Sequence, residues 1–192
     1  MKFNKLCSLL LLATATLSVQ AASVWKVSSD KHTLYIGGTI HILSPEDYPL
    51  PSEYDVAYKA ADKVVFETDM VAVNGLEFQQ KMMAKLVYSD GTTIDKVLNA
   101  DTYAALKQHM EQRNVPIAAM ATLKPSLIAI TLSIMELQAL GFTSEGVDQF
   151  YANKSQADGK PQSWFETPDE QIDFIVNLGK EDESGMIDYA IK

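Results

Sequence analysis

Cysteine is all but missing from this 192-residue chain: Cys7 is the only one. It falls inside a stretch that reads as a secretory signal peptide, residues 1–21. Lys2 and Lys5 precede an uncharged apolar run, Leu6 to Leu17, and Val19-Gln20-Ala21 supplies small residues at positions −3 and −1 of a cleavage site after Ala21. The exported domain, 22–192, then has no thiol, which excludes disulfides, a cysteine nucleophile and cysteine metal ligands. The charged Lys5 close before Cys7 argues against lipid attachment there. Long hydrophobic runs are lacking too. Neither Leu6–Leu17 nor Leu127–Ile134 reaches the roughly 20 residues of a membrane-spanning helix, so no stable anchor is expected after cleavage. Basic clusters are absent. The net charge of −9 becomes −11 once Lys2 and Lys5 are removed, a surface that repels nucleic acid and anionic lipid. There is no HExxH, no GxSxG and no phosphate-binding glycine loop.

What is present is ordinary globular material, 47% hydrophobic and 21% charged, organised around Thr33–Ile42, TLYIGGTIHI. Leu34, Tyr35 and Ile36 suit a strand. Gly37-Gly38 breaks it, and His41 follows just past the break. Ser23–Val27 and Thr33–Gly37 are expected to form an antiparallel hairpin across a turn that holds a solvated His32. Beyond a proline-held loop, Ser52 with Asp55 resembles a capping box for a helix whose Tyr54, Ala57, Tyr58 and Ala61 share one apolar face. Lys63–Phe66 is a strand that ends at Glu67. A right-handed strand–helix–strand crossover would bring Glu67 and His41 to one sheet edge.

Further helices are expected behind caps at Asn74 and Asp101, the second with Tyr103, Leu106 and Met110 inward and His109 as a half-buried surface group. A central helix runs from Pro125 to Leu140, with Ile128, Leu132, Met135 and Leu140 on its buried side and Gly141 as its stop. Gly146-Val147-Asp148 opens another helix. Ser163-Trp164-Phe165 is a third inner strand, ending at Glu166, and Pro168 starts a helix carrying Ile172, Ile175 and Val176. The fold class is therefore α/β: a mixed or mostly parallel central sheet flanked by helices, in a single domain.

Three strands thus end in His41, Glu67 and Glu166. An imidazole and carboxylates at one sheet edge suit manganese, cobalt or zinc. Such an ion, with Glu67 as ligand or general base, would support hydrolysis. The same residues read equally as a hydrogen-bonded His–Glu pair that orders the edge.

The ordered segments WKV, TLYIGGTIHIL, KVVFETD, LKPSLIAITLSIMELQALGF, EGVDQFYANKSQADGKP and ETPDEQIDFI resemble the TraB/GumN family, which includes the TIKI-type secreted metalloproteases. The family looks related to erythromycin-esterase-like and haem-binding ChaN-like proteins. The resemblance implies a secreted or periplasmic, metal-dependent, peptidase-like hydrolase acting on a peptide or small molecule. His41 and Glu67 match its catalytic and metal-binding positions, and Gly38, Lys124, Asp148 and Glu166 match motif or supporting positions. A non-catalytic haem- or peptide-binding protein of the same fold is the alternative. Ser126 stands where the family usually has tryptophan. The second GxxH and the arginine-bearing segment of the family's final third have no match, so the resemblance implies a C-terminally truncated member with apolar faces such as Ile172, Ile175 and Val176 partly uncovered.

Overall fold

In the computed structural model, which describes residues 23–192, the turn at 29–32 folds Val24–Ser28 (β1) and Thr33–Gly37 (β2) into the expected antiparallel hairpin. The signal peptide read at 1–21 lies outside the described residues. The register pairs Trp25 with Ile36 and Val27 with Leu34. Alternation puts these four on one face of the ribbon, and all are about half exposed.

Ser52–Ala60 (α1) follows. Ser52 does not cap it; Pro51 holds the cap position without a side-chain bond, and Ser52 is the first helical residue. Capping boxes form instead at Ser44–Asp47, before a single 3-10 turn, and at Thr167–Glu170. Val64–Thr68 (β3) then pairs with Gln162–Glu166 (β4), parallel, from Val64↔Gln162 to Thr68↔Glu166. The crossover expected between β2 and β3 is not formed among the described residues. The ladder of β2 is with β1, its cheapest partner to reach across a short turn, and the hairpin rests on α1. The architecture is α/β, with one antiparallel and one parallel pair of strands among helices.

The intervening chain forms Met70–Val73 (α2), Leu76–Leu86 (α3), Ile94–Val97 (α4), Ala100–Gln112 (α5), Pro125–Ala139 (α6) and Val147–Ala157 (α7); Pro168–Asn177 (α8) and Glu183–Ala190 (α9) come after β4. Two expected caps move by one or two residues. Asn74 closes α2, and Gly75 is the cap of α3. Asn99, not Asp101, accepts the Thr102 N–H at the start of α5.

The larger core is helical. Ile94, Leu98, Leu106, Met110, Ile128, Leu132 and Ile187 pack together around α6. Leu140 leaves that core: it is the residue after the last helical turn and 74% exposed, because Gly141 at φ +89° swings the chain away. Ile172 is fully buried, whereas Ile175 and Val176 are half-buried. A smaller core lies under β3, where Phe66, Leu43, Tyr58, Val147 and Tyr151 meet. This second cluster positions the site. Among the described residues no helix is long and apolar enough to cross a membrane.

Candidate functional site

The glycine break after β2 and the turn beyond it are held by four hydrogen bonds. Gly38 donates its N–H to the Ser23 carbonyl at 2.8 Å. The Tyr54 hydroxyl donates to the Gly38 carbonyl at 2.6 Å. Further on, Val147 N–H donates to the Ile40 carbonyl at 3.0 Å, and Thr143 N–H to the Leu43 carbonyl at 2.8 Å. The turn carrying GxxH is therefore docked on the start of α7, more than a hundred residues later. Gly146 makes the approach possible: a Cβ there would stand 2.1 Å from the Ile40 carbonyl oxygen and 2.5 Å from His41 Cα.

The docking delivers Asp148 to His41. Nδ1 of His41 lies 2.6 Å from Asp148 Oδ2. The carboxylate can only accept, so Nδ1 is the protonated nitrogen and Nε2 is left outward. Asp148 is in the first turn of α7, where the helix dipole favours a negative group. Its side chain is 6% exposed, against 66% for His41. The hydrogen bond to Asp148, with the charges of Asp148 and Glu67, holds the His41 pKa above its ordinary value despite partial desolvation.

Nε2 of His41 faces Glu67 Oε2 at 4.0 Å. The other Glu67 oxygen accepts from the Gln171 amide at 2.9 Å, and the same amide nitrogen donates to Glu166 Oε2 at 2.6 Å. Asp148, His41, Glu67, Gln171 and Glu166 thus form one continuous series. Of the three groups expected at one edge, only His41 and Glu67 face each other; Glu166 joins the series through the amide of Gln171. Gln171 lies within the ETPDEQ segment. The Thr167 cap and Pro168 fix where α8 begins, and Gln171, one turn in, falls over the end of the β3–β4 pair.

The remaining candidates are placed as follows. Gly38 belongs to the turn itself. Lys124 is the cap residue of α6; its N–H donates to the Leu86 carbonyl at 2.9 Å, and its ammonium lies 5.8 Å from the centre of the Tyr88 ring. Its partners are thus Leu86 and Tyr88 rather than the His41 series. His32 is exposed, as expected for its turn. His109 is largely buried beside Arg113 and Glu136, and desolvation, aided by the Arg113 charge, lowers its pKa.

Two protein donors point at each other, His41 Nε2 and Glu67 Oε2. Their separation is just within the reach of two metal–ligand bonds of about 2.0–2.2 Å. Asp148 behind His41 completes the carboxylate–histidine arrangement that commonly supports a ligating imidazole. The donor chemistry fits a divalent cation that keeps water at its other positions. Among the described residues no cluster of three or more histidine, cysteine, aspartate or glutamate side chains is arranged to hold one.

No curated protein and no solved structure matches the chain. The model of one protein family, TraB/PrgY/gumN, matches residues 23–192. That match spans every element described above, including the GxxH turn, the glutamate of β3 and the α7 start that meet at His41, and the chain belongs to the TraB/PrgY/gumN family.

Proposed function

We propose that His41 and Glu67 form the centre of a metal-dependent hydrolase of peptidase type, exported to the periplasm or secreted. The observation that carries this reading is the 2.6 Å bond from His41 Nδ1 to a buried Asp148, which spends one ring nitrogen and aims the other at Glu67.

Asp148 fixes the tautomer and the plane of the imidazole. His41 Nε2 and Glu67 would hold manganese, cobalt or zinc, which when bound polarises a carbonyl and acidifies water. Gln171 holds Glu67 Oε1, so Oε2 is the oxygen left for chemistry, either as the ligand to the metal or, with the metal held by His41 and water, as the base that accepts a proton from the attacking water. Overall, the water oxygen joins the carbonyl carbon, the amide C–N bond breaks, and the proton passes to the departing amine.

With metal supplied, His41→Ala and Glu67→Gln should each lower peptide cleavage by about 100-fold or more. Titration calorimetry with manganese, cobalt and zinc should show at least a tenfold loss of affinity in His41→Ala, with the fold retained. Unaltered metal affinity in that variant, or none in the parent chain, would remove His41 as a ligand.

The convergence of two donors rather than three favours one second reading, a haem- or peptide-binding protein without turnover. A Soret band that grows on haem titration and is lost in His41→Ala would select it. Export is checked separately. Mass spectrometry of protein recovered from the periplasm should show a start at Ala22 or Ser23, and an intact Met1 there would exclude cleavage.

A further inference from the structure

Beside Asp148, under the inner face of the hairpin, a cavity of about 150 Å³ opens between β2, α1, β3 and α7. Tyr35, Tyr54, Tyr58 and Tyr151 line it together with Val65 and Phe66. Three of the four tyrosine hydroxyls are already committed. Tyr54 donates to the Gly38 carbonyl, Tyr58 to Asp158 and Tyr151 to Asp55. Those three residues therefore offer ring surface rather than polar groups to the cavity. Lys160, the ammonium nearest the Tyr58 ring, is also engaged, donating to the Tyr58 and Ala61 carbonyls. A charged side chain entering here would lose its hydration: a carboxylate would face Asp148, and an ammonium would exchange its water for one oxygen of a carboxylate already paired with His41.

Position ties the cavity to the site. Its wall includes Thr39 and Phe66, two residues before His41 and one before Glu67, and it includes Asp148 itself. Asp148 Oδ1 is buried and has no hydrogen-bond partner. The size is informative as well: an apolar cavity of about 150 Å³ takes a benzene molecule. Ala57 on α1 and Ala61 just past its end stand with Tyr54 and Tyr58 along the same wall, and their small side chains keep the space open.

We propose that this cavity is the side-chain subsite of the His41–Glu67 centre, and that it selects substrates with a phenyl-sized apolar side chain, phenylalanine or leucine, beside the bond to be cut. The assignment of the reacting bond rests on the hydrolase reading above; the apolar selectivity rests on the cavity alone.

The test is a titration of metal-free mature protein with N-acetyl-phenylalaninamide, N-acetyl-lysinamide and N-acetyl-aspartamide, followed by methyl and aromatic NMR. The phenylalanine compound should give saturable shifts at Val65, Val147 and the tyrosine rings, and the charged compounds none. Ala57→Phe and Ala57→Leu fill the space from α1 and should each weaken phenylalanine binding at least tenfold, with melting temperature and the His41 titration unchanged. Glu67→Gln should bind the phenylalanine compound like the parent chain while cleaving nothing. Phenylalanine-selective binding in a protein that cuts no peptide with manganese, cobalt or zinc supplied would remove the hydrolase reading and keep the apolar pocket. Equal binding of all three compounds, no binding of the phenylalanine compound, or parent-like binding in both Ala57 variants would overturn the pocket.

Discussion

Gly146→Ala should destabilise this chain by about 3 kcal/mol or more and separate His41 from Asp148 at the same time. The backbone at Gly146 has φ −90° and ψ −178°, which alanine adopts freely, so conformational strain is not the cause. The cause is contact. The added methyl would lie 2.1 Å from the Ile40 carbonyl oxygen, 2.4 Å from the His41 carbonyl carbon and 2.5 Å from His41 Cα. All three are backbone atoms, so no side-chain rotation relieves the overlap. Either the GxxH turn or the start of α7 must retreat, and the bond from Val147 N–H to the Ile40 carbonyl goes with it. Forced overpacking ordinarily costs about 1–3 kcal/mol, and more where nothing can shift. For a chain of this length 3 kcal/mol is a drop of about 6–12 °C in melting temperature. Gly91→Ala is the control. Gly91 has φ +85° with open space around its missing side chain, so only the left-handed conformation is penalised, by about 1–2 kcal/mol. Melting curves for the two variants, with an NMR spectrum of the His41 ring, decide the matter. A Gly146→Ala protein that melts like its parent would mean that the turn is not seated on α7.

The contrast between these glycines shows what was legible in the sequence. Gly37-Gly38 announced a break because two glycines ended an apolar run, and the strand before it and the histidine after it followed from local pattern. Pro125, Pro168 and Gly146-Val147-Asp148 likewise marked helix starts that the structure contains. Local pattern does not say what a start is docked against. The His41–Asp148 contact joins residues 107 apart, and the partner of β3 is β4, at the far end of the domain, rather than the nearer β2. Nothing in the periodicity of either segment encodes such pairings. Periodicity reports that one face is buried, not which neighbour buries it. The family resemblance supplied Asp148 as a motif position, and the geometry assigned it a partner. Gln171 sits in a segment that the resemblance includes, yet a glutamine in a helix's first turn is by itself ordinary surface material; its interest lies in standing over two carboxylates that arrive on separate strands. Leu140 misled because its spacing is right, yet the helix ends one residue too early for that spacing to apply.

Asp148→Asn should lower the His41 pKa and cut affinity for a divalent cation by about 10–100-fold, the usual effect of losing the carboxylate behind a ligating histidine. Asparagine keeps the shape and an acceptor oxygen, so the ring can remain roughly in place. What disappears is the negative charge and the stronger, charge-assisted form of the 2.6 Å hydrogen bond. That bond is the largest cause of the raised His41 pKa, ahead of the opposing desolvation and of the Asp148 and Glu67 charges. The direction of the linked stability follows. A histidine whose folded pKa lies above its unfolded value of about 6.5 takes up its proton more readily in the folded state. Its contribution is therefore fully present below pH 6.5 and is lost as pH rises through the folded pKa. In Asp148→Asn this pH-dependent part should shrink, so urea midpoints of parent and variant should draw together above that window and separate below it. The ring proton of His41, followed by NMR in metal-free protein, gives both pKa values directly, and cation titration gives the affinities. A His41 resonance that titrates identically in parent and variant would show that Asp148 does not hold the ring, and the route from a buried carboxylate through His41 to Glu67 would lose its first link.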